Sequence, residues 1–271
     1  MPALFFIYAL PENEPFGWRR LLLGWAAAVL TLATLCGLAA QSIMLAGSVE
    51  LGLSRESLGA LVGITSLGKA FVVRAIVAAI AAALLRWAKP GRRLWLVVAI
   101  LGAVAAASFA WMGHAAGGEG DAGMWHLIAD LIHALTAAGW IGALIGFAFV
   151  AGSQPSRQTL AGALRRFSAI GLPMVALLAA TGLINAWFLI GVDHLAQVPR
   201  SPYGQLLLAK LALFAAMIGL AAANRFHFAK VTAEHGSLAG VRRSLTIEAA
   251  LGIAVLGVVA WLGMMEPLGQ G

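Results

Sequence analysis

Charged residues are scarce in this 271-residue chain: Asp, Glu, Lys and Arg make up 11% of it, whereas hydrophobic residues make up 61%. A soluble domain of this size cannot cover so much apolar surface, so the composition indicates a protein whose solvent is the lipid bilayer. Cysteine is almost absent. The lone Cys36 excludes an internal disulfide framework.

Several motifs of enzymes and nucleotide-driven pumps are also missing. The chain has no glycine loop that ends in Lys-Ser or Lys-Thr, so no nucleotide-binding site is indicated. It has no Cys-x-x-Cys, and it has no His-Glu-x-x-His of an intramembrane zinc protease. We therefore predict that the protein is not an enzyme. The segment Ala3–Leu10 is short and has no basic region before it, so we expect no cleavable signal peptide.

Long apolar runs are what the chain has in abundance. A transmembrane helix needs about 20 residues, and seven runs are long enough: 21–48, 68–88, 93–114, 123–151, 167–191, 204–224 and 244–265. A short surface helix is predicted for 54–68. The predicted fold class is all-α, a polytopic membrane helix bundle with seven complete transmembrane helices and a truncated N-terminal one at Ala3–Leu10.

Lys and Arg fall almost entirely on one side of this predicted bundle. They cluster at residues 19–20, 86–93, 157–166 and 225–243. The opposite loops hold only Arg55 and Arg200 beside several acidic residues. The positive-inside rule places the basic loops in the cytoplasm, so His114 and the C-terminus are expected to face outward. The net charge of +7 is thus a topology signal and does not indicate nucleic-acid binding.

Two short segments repeat one pattern. Thr65-Ser66-Leu67-Gly68 is followed six residues after its glycine by Arg74, and Ser201-Pro202-Tyr203-Gly204 is followed in the same way by Lys210. In both segments the first residue is expected to cap the N-terminus of a helix, and Pro202 suits the first helical position.

A further correspondence extends the repeat. Trp111-Met112-Gly113-His114 corresponds to Trp261-Leu262-Gly263-Met264. We predict a single integral-membrane domain, 1–271, built from two parallel four-helix repeats of about 1–122 and 123–271. Ala3–Leu10 would then be the remaining part of the helix that opens the first repeat.

Ionisable side chains are concentrated on the run 123–151. His126, Asp130 and His133 have spacings i, i+4 and i+7, so they share one face of a helix. Such groups are costly at membrane depth and usually mark an ion, proton or cofactor path. The two histidines are about 10 Å apart along the axis, too far for one ion with bonds of about 2 Å. We predict an outer station with His114 and His126 and an inner one with His133, while Asp130 serves either. Alternatively, Asp130 and His133 merely pair with each other.

Methionines refine the identity of the metal. Met112, Met264 and Met265 fall near the outer ends of their helices. Thioether and imidazole together suit copper, particularly Cu(I), better than magnesium or calcium, although methionine is also a common core residue. The candidate ligands are therefore His114, His126, Asp130, His133, Met112, Met264 and Met265. Accessory polar roles are predicted for Arg74, Lys210, Asn224, Arg225 and Glu248.

Short motifs in order along the chain resemble those of the CopD (copper resistance protein D) family of bacterial inner-membrane proteins. They are Gly113-His114-Ala115, His126 and His133 with Trp140-x-Gly142, Arg166-Phe167-Ser168, Thr181-Gly182 with Asn185, Tyr203-Gly204 with Lys210, Asn224-Arg225, and Glu248. The resemblance implies an eight-helix protein that moves copper from periplasm to cytoplasm, often beside a periplasmic CopC-like copper carrier. Two departures are the first family helix, absent here beyond Ala3–Leu10, and Lys69 beside Gly68.

Three functions follow as alternatives. The first is copper transport and homeostasis, in which Cu(I) or Cu(II) passes along the His/Asp/Met path under the membrane potential. The second is a b-type haem protein that passes electrons across the membrane; against it, no mid-membrane histidine lies on another complete helix. The third is a scaffold that delivers copper to an oxidase and uses the same site without transport. The oligomeric state is not indicated.

Overall fold

A computed structural model describes residues 2–10, 17–113, 120–153, 156–231 and 238–268. The regular structure in these ranges is helical throughout. The helices are α1 Pro2–Ala9, α2 Trp18–Ala46, α3 Val49–Gly52, α4 Arg55–Ile64, α5 Ser66–Trp87, α6 Arg92–Ala107, α7 Gly120–Gly152, α8 Arg157–Ile190, α9 Pro202–Val231 and α10 Leu238–Leu262. The 3-10 turn Ser108–Met112 continues α6.

Seven of the described helices are long and apolar enough to cross a membrane. They cover Trp18–Ala46, Ser66–Trp87, Arg92–Met112, Gly120–Gly152, Gln158–Ile190, Pro202–Ala223 and Ala239–Leu262. Each corresponds to one of the seven apolar runs. The prediction of a polytopic helical membrane bundle is therefore confirmed.

The predicted caps of α5 and α9 are also confirmed. The backbone N–H of Gly68 donates to Oγ1 of Thr65 at 2.9 Å, and that of Gly204 donates to Oγ of Ser201 at 3.0 Å. Each bond satisfies a donor that the first turn of a helix leaves open. The surface helix predicted ahead of the second span is α4, and its end at Ile64 is set by the cap at Thr65.

Internal contacts divide the described chain into two compact units. One is chiefly Glu12–Leu135, and the other is chiefly Leu4–Pro11 with Thr136–Gly271. This boundary lies within α7, later than the predicted repeat boundary near 122. It is a division by packing, and the duplication itself stays a prediction.

In the first unit, α5 packs against α2 and α6. The guanidinium of Arg20 on α2 donates from Nε and Nη2 to the carbonyl oxygen of Leu85 at 2.9 and 2.6 Å. That carbonyl lies in the last turn of α5, where helix geometry leaves oxygens without intrahelical partners and where a cation is favourable. Arg20 thus ties the start of α2 to the end of α5.

In the second unit, α9 packs against α10. The hydrophobic core of this unit contains Trp140, Leu144, Leu178 and Met217. The N-terminal helix α1 packs here too, because the rings of Phe5 and Phe147 lie 4.4 Å apart between centroids. The segment predicted as a truncated helix is therefore helical, and by its contacts it belongs to the second unit.

Candidate metal site

The three predicted residues of α7 lie in the part of that helix that belongs to the first unit. His126 is buried, with 5% of its surface exposed, while Asp130 and His133 are half-buried. Their helical spacing puts them on one face, as predicted. Each interacts with at least one other group, so none of them is an isolated polar group at membrane depth.

The backbone just before His114 lies close to the carboxylate of Asp130. Gly113 follows the 3-10 turn in an extended conformation, and a β-carbon added to it would lie 3.5 Å from Oδ2 of Asp130. The carboxylate therefore lies beside the backbone of Gly113, one residue after Met112 and one before His114. His114 itself lies outside the described residues.

A buried arginine holds the same turn from another side. Arg74 on α5 is 2% exposed. Its Nε donates to Oγ of Ser108 at 2.8 Å, and its Nη1 donates to Sδ of Met112 at 2.8 Å. Its guanidinium carbon lies 3.6 Å from the centroid of the Phe109 ring, which is cation–π geometry. One side chain thus contacts three residues of a five-residue turn.

The contact between Arg74 and Met112 is the feature of the candidate site that the sequence analysis missed. Arg74 appears there only as an accessory polar residue. The two residues are separated by 38 positions, and no local spacing rule connects residues on different helices. A buried arginine in an apolar span signals that a partner exists, but it does not indicate which one.

Within the described residues, no three His, Cys, Asp or Glu side chains lie close enough together to hold a metal ion. The structure does bring the Asp130 carboxylate to the backbone of Gly113, at the end of the turn that carries Met112. His133 lies about two helical turns beyond His126, and a separate inner station at His133 stays a prediction.

The other candidates lie in the second unit. Met264 and Met265 follow the end of α10; Met264 is 79% exposed, and Met265 is half-buried. Lys210 on α9 is half-buried and Glu248 on α10 is buried, and each interacts with another group. The predicted residues Asn224 and Arg225 lie on α9, and their side chains are outside the described part of the structure.

The fold and these donors define a class of protein: a multi-pass helical membrane protein with imidazole, carboxylate and thioether groups in its first unit. Comparison with known proteins identifies the family. The family description "Copper resistance protein D-like, N-terminal domain" matches residues 3–124, and "Copper resistance protein D" matches residues 161–262. Copper resistance protein D of Pseudomonas syringae pv. tomato is 34% identical over 286 aligned residues, which cover 98% of this chain and 91% of that protein. The chain belongs to the copper resistance protein D (CopD) family.

A second relative matches a smaller part of the chain. Copper transport protein CutJ of Bacillus subtilis (strain 168) is 32% identical over 134 residues, or 48% of this chain and 23% of that protein. Both relatives are named for copper resistance or transport and neither for a catalysed reaction, which supports the expectation of a non-enzyme. No solved structure matches the chain. His126, Asp130 and His133 lie between the two matched segments, so neither family match covers them. Their proposed role therefore rests on where the structure places them.

Proposed function

We propose that this CopD-family protein moves copper from the periplasm toward the cytoplasm along His, Asp and Met side chains of its first unit. The observation that carries the proposal is the Asp130 carboxylate beside Gly113. Gly113 lies between Met112 and His114 in the sequence, so the carboxylate is beside the segment that carries both of these proposed ligands. Carboxylate, imidazole and thioether together form a donor set suited to a copper ion in transit.

The path keeps the two predicted stations, an outer one with His114 and His126 and an inner one with His133. We add Met112 to the outer station, because it directly precedes the segment beside Asp130. Asp130 lies between the two histidines of α7 along the helix, so it offsets the charge of the ion as the ion passes. An inward-negative membrane potential supplies about 2.3 kcal/mol per charge per 100 mV, which needs no nucleotide.

Copper reaches the outer station from outside the inner membrane. A periplasmic carrier of the CopC type is the proposed donor, and the exposed thioether of Met264 is suited to accept Cu(I) from it. In the second unit we assign supporting roles to Met265, Lys210, Asn224, Arg225 and Glu248. The direction of transport depends on the basic loops facing the cytoplasm.

The orientation is tested with topology reporters. Alkaline phosphatase fused after residue 271 is expected to be active, because this enzyme folds only outside the cytoplasm. The same enzyme inserted in the α5–α6 loop, beside Lys89, is expected to be inactive. A fluorescent protein placed at both positions serves as the reciprocal control. The reverse pattern would contradict the proposed direction of the path.

Metal content tests the substrate. Copper-loaded protein, purified in detergent and freed of excess metal, is expected to contain one or two copper ions per chain by elemental mass spectrometry, because the path offers two stations. His133→Ala is expected to lose the inner ion. His194→Ala removes a histidine outside the path and is the matched control. Stoichiometric iron instead of copper would contradict transport and favour the haem alternative.

A further inference from the structure

The proposed function assigns the sulfur of Met112 to copper, but this sulfur already has a positively charged side chain as its partner. Met112 Sδ accepts a hydrogen bond from Nη1 of Arg74 at 2.8 Å. Arginine stays protonated in proteins, so this partner is a permanent positive charge. A thioether is a weak acceptor, and a buried guanidinium is an unusual partner for it.

The guanidinium is held in place by more than this one bond. Its Nε donates to Oγ of Ser108, and Ser108 in turn donates to the carbonyl oxygen of Ala105 at 2.6 Å. The group also lies over the ring of Phe109, and the Phe71 ring centroid is 5.5 Å away. Because Arg74 is only 2% exposed, its charge does not reach water or lipid headgroups. The fold thus places this charge on the turn that carries Met112.

A copper ion on the same sulfur would meet strong repulsion. A metal–sulfur bond is about 2.3 Å, so the ion would lie within roughly 5 Å of the guanidinium in a medium of low dielectric constant. We propose that Arg74 is a resident cation that competes with Cu(I) for Met112, so that this thioether binds copper only transiently. The proposal deepens the proposed transport function and rests on it.

The hydrogen-bonding capacity of the guanidinium is not fully used. Nη2 of Arg74 has no hydrogen-bond partner among the described residues. A transport site must bind its ion tightly enough to admit it and weakly enough to release it. Arg74 would lower the affinity of Met112 for Cu(I) and so allow the ion to be released.

A double-mutant cycle tests the competition. Cu(I) affinity is measured on the full-length protein in detergent, by competition with the chromophoric chelator bicinchoninate, for wild type, Arg74→Gln, Met112→Leu and the double variant. Removal of the charge is expected to tighten Cu(I) binding by at least about tenfold. In the Met112→Leu background the gain is expected to disappear. Equal affinities in wild type and Arg74→Gln, or a gain that persists without Met112, would overturn the proposal.

Two further variants separate charge from packing. Arg74→Lys keeps a cation and is expected to show no gain. Arg74→Leu places an apolar group between Phe71 and Phe109, and it is the replacement to use if Arg74→Gln does not fold, since it buries no unpaired polar group. X-ray absorption of the copper-loaded charge-free variant is expected to show a higher average number of sulfur ligands per copper than wild type, because Met112 becomes a stable ligand of the outer ion. An unchanged sulfur count would contradict competition for Met112.

Copper uptake by wild-type cells distinguishes this inference from the function on which it rests. Normal uptake combined with equal Cu(I) affinities in the cycle would overturn the role of Arg74 alone. Absence of uptake by wild type, with the Met112-dependent gain intact, would overturn transport and leave the competition standing.

Discussion

Asp130→Asn is expected to lower copper accumulation in cells by at least about tenfold, the smaller end of the losses that follow when groups around a metal are removed. The amount of protein in the membrane is expected to stay unchanged. Asn keeps the size and hydrogen-bonding capacity of the side chain but removes the negative charge beside Gly113. A copper ion passing His126 would then have no carboxylate to offset its charge in a medium of low dielectric constant.

Copper accumulation is measured by elemental mass spectrometry and normalised to membrane expression. Asp121→Asn is the matched control, because Asp121 is an exposed carboxylate in the first turn of the same helix. His133→Ala tests the inner station in the same assay. Wild-type accumulation in both the Asp130 and the His133 variants would defeat the proposed path.

Gly204→Ala is expected to destabilise the protein by about 1–3 kcal/mol, the usual cost of inserting a methyl group where there is no space. A β-carbon at this position would collide with the backbone carbonyl group of Val198. The helix cannot easily move away, because the N–H of Gly204 is bonded to Ser201 at 3.0 Å. Gly68→Ala is expected to behave alike in the first unit, where the backbone of Leu61 occupies the same space.

Thermal unfolding of the detergent-purified variants measures this effect. Gly219→Ala, on the same helix as Gly204, and Gly63→Ala, ahead of Gly68, meet no atom within 4 Å. These controls are expected to be neutral or to stabilise by up to about 1 kcal/mol, because alanine favours the helix more than glycine does. Transition temperatures for Gly204→Ala and Gly68→Ala equal to those of their controls would show that the close approach is not needed.

The paired glycines also show what a sequence repeat conveys. The cap residues Thr65 and Ser201 were predictable, because an N-cap acts on a donor three residues away in the same chain segment. The reason for glycine at 68 and 204 was not predictable from the repeat alone. It depends on the preceding segment folding back on the helix start, which brings the Leu61 and Val198 backbones against these positions.

The candidate site also combines local features that the sequence predicts with contacts between helices that it does not predict. His126, Asp130 and His133 were placed on one helix face by their spacing, since helical periodicity is a local property. The sequence analysis predicted a shared outer station for His114 and His126, but it did not predict that the backbone of Gly113 lies beside Asp130. The hydrogen bond from Arg74 to Met112 joins α5 to the turn after α6 and was not expected at all.

The amino-acid sequence by itself determined that this protein is a helical membrane protein, where its spans and caps lie, and which residues share a face of α7. These features follow from composition and from interactions between residues a few positions apart. Tertiary structure alone decided which side chain donates a hydrogen bond to the Met112 sulfur and which backbone lies beside Asp130. It also decided that α1 packs with the second unit. The reason is that contacts between helices depend on how each helix is rotated and crossed against its neighbours, and packing over many residues sets those angles.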